Sequence, residues 1–134
     1  MRRILVNSLV AIALWPGVLL AQATTAVCDS TFRTADEMPV YKTGQQDLLR
    51  DIRKEFKFGG PCRPDKITVK WVVNTQGKVT QVEVSGIEGT CQEDFIHQFE
   101  LLPPWKPGKR KGRIVCVRMS MPIYIDYSDR PDGE

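Results

Sequence analysis

From Asp47 the apolar residues fall at Leu48, Leu49, Ile52 and Phe56, the spacing of one helix face, while Arg50, Asp51, Arg53, Lys54 and Glu55 fill the other side. Gly59-Gly60-Pro61 ends that helix. Lys66 to Val73 then alternates, with Ile67, Val69, Trp71 and Val73 on one face and Thr68 and Lys70 on the other. That is a strand with one buried side. Asn74-Thr75-Gln76-Gly77 is a turn in which Gly77 is available for positive φ. Lys78 to Ser85 returns with Val82 and Val84 inward, completing a hairpin.

Thr90 and Glu93 have capping-box spacing and open a second helix, apolar at Phe95, Ile96, Phe99 and Leu102 and ended by Pro103-Pro104. Arg113 to Tyr127 is a last long strand. Val115, Val117, Met119, Met121, Ile123 and Ile125 share one face, and Cys116, Arg118, Ser120 and Tyr124 share the other. The order α-β-β-α-β predicts an α+β fold with two helices packed on one face of a three-stranded antiparallel/mixed sheet. A right-handed crossover through the second helix sets the third strand parallel to the second and beside the first. The strand order is then second–first–third, with the third strand at an edge.

The amino end has a different pattern. Arg2 and Arg3 precede an apolar stretch from Ile4 to Leu20, broken only by Asn7 and Ser8, and Ala21-Gln22-Ala23 supplies a small-x-small cleavage site. This predicts a signal peptide over 1–23 and a mature start at Thr24. The alternative is an uncleaved anchor, but the 17 residues from Ile4 to Leu20 span only about 26 Å as a helix, against a hydrocarbon core of ~30 Å. Trp15-Pro16-Gly17 would also break such a helix. The mature chain divides into a short lead-in over 24–37, one domain over 38–127 and a polar tail over 128–134.

Composition narrows the function. A chain of 134 residues, 42% hydrophobic and 26% charged, is one folded domain and not a disordered one. Loss of Arg2 and Arg3 leaves 17 basic against 16 acidic side chains, so the formal charge of +3 is no argument for nucleic acid. Cys28, Cys62, Cys91 and Cys116 are even in number and include no C-x-x-C pair, and His97 is the single histidine. Two disulfides in an oxidising compartment, periplasmic or extracellular, fit better than a zinc site. Four cysteines allow three pairings. The topology favours Cys62–Cys91, because the second helix starts above the end of the second strand and near the start of the first. Cys28–Cys116 is then paired by elimination.

Catalytic machinery is not expected. His97 sits on a helix beside Ile96, six residues from Cys91; Ser85 and Ser120 lie in no G-x-S-x-G turn; Glu93 and Asp94 suit a helix start. Gly59-Gly60 comes after a helix instead of opening one, so no phosphate loop is present. No enzyme, metal or cofactor is predicted. The one concentration of charge is Lys106, Lys109, Arg110, Lys111 and Arg113, with no acid between Leu101 and Ile125. It reads either as a solvated loop or as an electropositive rim for acidic partners or anionic surfaces.

Leu102-Pro103-Pro104-Trp105-Lys106-Pro107-Gly108, then Gly112-Arg113-Ile114-Val115 and Pro122-Ile123, resembles the TonB carboxy-terminal domain family. Val69 to Val79 is similar to that family's first hairpin, and Met38-Pro39-Val40-Tyr41 with Gly44 to its start. The resemblance covers Met38 to Tyr127. Physically, Trp105 reads as a core plug, Pro104 and Pro107 as backbone stiffeners, and Gly108 and Gly112 as turn residues.

The resemblance implies a periplasmic domain that takes up a short segment of an outer-membrane transporter by strand addition along the last strand. Here the candidate contacts are Arg113, Ile114, Cys116, Arg118, Ser120 and Tyr124, with Lys106, Lys109, Arg110 and Lys111 as the basic rim. Two sequence features depart from an energy transducer. The amino end reads as cleavable, and about fifteen residues of lead-in extend only roughly 50 Å. The expected function is an exported protein- or peptide-binding module. The alternatives are a membrane-anchored energy transducer and a secreted inhibitor or structural domain with a covered edge. Homodimer pairing through that edge is a further expectation.

Overall fold

The computed structural model describes residues 28–128, so the expected signal peptide and nearly all of the polar tail lie outside the described residues. The elements are β1 (Thr31–Phe32), α1 (Gln45–Glu55), β2 (Lys66–Val73), β3 (Val79–Ser85), α2 (Gly89–Glu100), β4 (Gly108–Arg110) and β5 (Arg113–Tyr124). The fold is α+β, with two helices and a mixed sheet.

The sheet has five strands instead of three, in the order β1-β5-β2-β3, with β4 paired to the start of β5. Its centre keeps the expected order, since β2 is antiparallel to both β3 and β5. The two additions are too short for any periodicity to announce. β1 pairs in parallel with β5 through Thr31↔Cys116 and Phe32↔Val117 only. β4 forms a tight hairpin with β5, and its two turn residues, Lys111 (φ 51) and Gly112 (φ 74), are both left-handed as such turns require.

Residues that read as lead-in are built into the fold. Besides β1, the Asp36 carboxylate accepts the Lys111 N–H at 2.7 Å, and Glu37 exchanges backbone hydrogen bonds with Lys109. Val40 does the same with Lys106. These contacts carry the chain from the outer side of β5 to the start of α1.

The core lies between the helices and one face of the sheet. Leu48 and Ile52 of α1 and Phe95 and Phe99 of α2 pack against Ile67, Val69, Trp71 and Val73 of β2 and Met121 and Ile123 of β5. Aromatic rings run through it: Phe56 meets Phe95 at 5.2 Å, Phe95 meets Phe99 at 6.0 Å, Phe99 meets Trp71 at 5.1 Å, and Trp71 meets Trp105 at 5.4 Å. Trp105 fills the junction between α2 and β4, buried with its backbone N–H donated to the Gly77 carbonyl at 2.8 Å. Gly77 has φ 77, and a Cβ there would stand 2.0 Å from the Trp105 carbonyl oxygen. The turn thus needs glycine twice, for its backbone angle and for the close approach of Trp105. Asn74, the buried polar residue of the turn, accepts the N–H groups of Gln76 and Lys78 at 2.9 Å each.

The capping box at Thr90 does not form. The helix starts two residues early, Glu88 occupies the cap position, and no side chain caps it. Cys91 is bonded to Cys62, and the Gln92 amide donates to the Val84 carbonyl at 2.7 Å. Tertiary ties therefore set the start of α2, and Thr90 lies within its first turn.

The two disulfides are Cys28–Cys116 and Cys62–Cys91. The first fastens the segment leading into β1 beside β5. The second fastens the loop before β2 to α2.

Candidate functional site

The chemistry of β5 depends on where its backbone groups point. The Ile125 N–H donates to the Asp65 carbonyl at 3.0 Å, and the β2–β5 register continues that pairing as Ile123↔Ile67, Met121↔Val69, Met119↔Trp71 and Val117↔Val73. In an antiparallel ladder hydrogen-bonded pairs alternate with non-bonded ones. The odd-numbered residues therefore point their backbone groups at β2, and Arg118, Ser120, Pro122 and Tyr124 point theirs away. Pro122 fits this alternation, because its missing N–H falls on the outer side, where no β2 bond is lost.

On that outer side β1 pairs only as far as Val117, and among the described residues no strand covers Arg118 to Tyr124. The predicted contact row is thus divided. Arg113 and Ile114 pair with Arg110 and Lys109 of β4, while Cys116 is buried, disulfide-bonded and opposite Thr31. Arg118, Ser120 and Tyr124 remain at the open part. The third strand is an edge strand over its second half and a covered strand at Cys116–Val117.

Two hollows flank this open edge and share Met119 and Ser120 as a wall. On the helix side a groove of about 390 Å³ lies between β5 and the segment before α1, walled by Pro39, Val40, Trp71, Trp105, Met119 and Met121. Its mouth includes Gln45, whose amide donates to the Met121 sulfur at 3.3 Å. Among the described residues the buried indole N–H groups of Trp71 and Trp105 have no acceptor, an arrangement that costs about 1–3 kcal/mol each. On the opposite face a second hollow of about 490 Å³ is lined by Arg33, Met38, Lys70, Glu83, Arg118 and Ser120. It is polar because Lys70, Ser120 and Glu83 sit side by side in register across β5, β2 and β3. The Arg118 guanidinium donates to the Gln81 side-chain oxygen at 3.3 Å, and Gln81 is held left-handed (φ 50) where β3 shifts register.

The groove's outer wall is pinned by two carboxylates of α1, Asp47 and Asp51. The Tyr41 hydroxyl donates to Asp51 at 2.7 Å, and Lys42 reaches the same carboxylate at 2.5 Å. Burial first, then the Asp51 hydrogen bond, pushes the Tyr41 hydroxyl well above its ordinary pKa. Asp47 accepts both the hydroxyl and the backbone N–H of Thr43, which with Arg50 lower its carboxyl to about 2. The Tyr41 ring packs on Trp105 at 5.3 Å, so this polar cluster and the groove share one residue.

The basic rim is on and around the β4–β5 hairpin. Lys106, Arg110, Lys111 and Arg113 are exposed and Lys109 is half-buried. The Arg110 guanidinium lies 4.5 Å from the Phe32 ring centroid, so part of the rim holds β1 in place. Of the motif residues, Trp105 and Gly108 are buried, Pro107 is half-buried, and Gly112 and Pro122 are exposed. His97 is exposed on α2. Among the described residues no group of three or more His, Cys, Asp or Glu is placed to hold a metal, and no helix is long and apolar enough to cross a membrane.

Sequence reasoning missed Arg33, Lys70 and Gln45 and gave Pro39 and Val40 no role at the site. Their common signal was weak: only the Met38-Pro39-Val40-Tyr41 run drew notice, and its position across the groove is a tertiary fact. Comparison of the chain with protein-family models, curated proteins and solved structures returned no match.

Proposed function

We propose that this protein is an exported binding module that takes up an extended peptide by strand addition to the outer edge of β5. One observation carries the reading. Ser120, Pro122 and Tyr124 present backbone groups on an edge that no other described strand covers, beside a walled apolar groove. An unpaired edge next to side-chain hollows is what strand-adding domains use, with backbone bonds for affinity and pockets for selection. Two disulfides support an oxidising location, periplasmic or extracellular. The sequence's resemblance to the TonB carboxy-terminal domain family supports the same mode and suggests an outer-membrane transporter segment as partner. In this reading the protein is not an enzyme and uses no cofactor.

The test is amide hydrogen exchange by NMR with and without an extended synthetic peptide. Slowed exchange at Ser120 and Tyr124 supports strand addition. Saturable binding that leaves both amides unchanged and protects another surface rejects it.

A second reading has one observation in its favour. Cys28–Cys116 and β1 close the start of the edge, as a secreted inhibitor or structural domain with a covered edge would require. Protection of Ser120 and Tyr124 in the protein alone, at millimolar and not micromolar concentration, would point instead to edge-to-edge dimers.

A further inference from the structure

Resting on the strand-addition reading, we propose that the β5 edge selects extended peptides in which apolar side chains alternate with acidic ones. An added strand sends successive side chains to opposite faces of the sheet. At Ser120 those two faces open into hollows of opposite chemistry.

On the helix side the walls are Pro39, Val40, Trp71, Trp105, Met119 and Met121. This groove takes an apolar side chain. On the other face the hollow is lined by three cations, Arg33, Lys70 and Arg118, and one carboxylate, Glu83. A carboxylate entering there meets three cations; a lysine would meet the same three and be repelled. Met119 and Ser120 border both hollows, so consecutive peptide residues facing that point fall one into each.

The same edge limits length. β1 ends the open stretch on one side at Val117, and Pro122 offers a carbonyl but no N–H. Recognition of a short segment therefore depends on side chains more than on a long ladder of backbone bonds.

The experiment uses the mature chain with both disulfides intact and two fluorescent eight-residue peptides, one alternating Val and Glu, the other Val and Lys. Anisotropy at low salt is expected to give at least roughly tenfold tighter binding of the Glu peptide, with the preference shrinking at high salt. Arg118→Glu is expected to erase or invert it, and Arg33→Glu, on a loop residue outside the sheet, gives the same answer if the first variant folds poorly. Equal affinity for both peptides, with Ser120 and Tyr124 still protected, overturns the selection and leaves strand addition standing. Failure of both peptides to protect those amides overturns strand addition and selection together.

Discussion

The two disulfides close loops of very different length, which makes their removal a quantitative test of what holds this chain folded. Cys28 and Cys116 are 88 residues apart in sequence, and Cys62 and Cys91 are 29 apart. Treated as loop-closure entropy taken from the unfolded chain, the longer link contributes about 4.6 kcal/mol and the shorter about 3.6 kcal/mol. Cys116 is also buried whereas Cys62 and Cys91 are only half-buried, so the cavity left by replacement adds to the larger loss. The perturbation is the paired replacement Cys28→Ala with Cys116→Ala, set against Cys62→Ala with Cys91→Ala. Urea unfolding tracked by tryptophan fluorescence is the assay, because Trp71 and Trp105 are buried. The first pair is expected to lose about 1 kcal/mol more than the second. A larger loss from the Cys62–Cys91 pair, at unchanged urea dependence, would refute the reasoning and show that local anchoring of α2 outweighs loop length.

The same contacts set three further outcomes. Trp105→Ala should destabilise by about 3–5 kcal/mol, whereas Trp105→Phe should lose clearly less, because it keeps a ring against Tyr41 and Trp71 and removes an N–H that has no acceptor; equal losses in chemical denaturation would contradict this. Gly77→Ala should lose more than about 1 kcal/mol, since it meets the Trp105 carbonyl at a left-handed φ, and a neutral result in thermal unfolding would show that the turn can move. The Asp47 carboxyl has its folded pKa lowered from 3.8 to about 2 by the Thr43 hydroxyl first and its N–H next. Its stabilising effect is therefore complete above pH 4 and disappears as pH falls through 2. Asp47→Asn should lower the melting temperature at pH 7 and match wild type near pH 2, and a difference independent of pH would exclude this linkage.

What could be read from the residues in order was the part with a period. Leu48, Ile52 and Phe56 announced α1, and Ile67, Val69, Trp71 and Val73 announced β2, because each side chain's burial comes from its own spacing. The order of the three long strands came from their connections. The capping box at Thr90 was a misleading local signal, overridden by the Cys62–Cys91 bond and the Gln92 contact to β3.

The sequence by itself therefore determined the helices, the long strands, the fold class and the presence of a cysteine framework. Only the tertiary structure decided which part of β5 is open. Thr31 and Phe32 carry no alternation, so nothing local says that they pair with Cys116 and Val117. Nor does spacing bring Arg33 to the face that holds Lys70 and Arg118, or Val40 and Trp105 to the groove beside Met121. Periodicity encodes which way a side chain faces within its own element. A site between elements depends on contacts across distant parts of the chain, and those are set when the core closes.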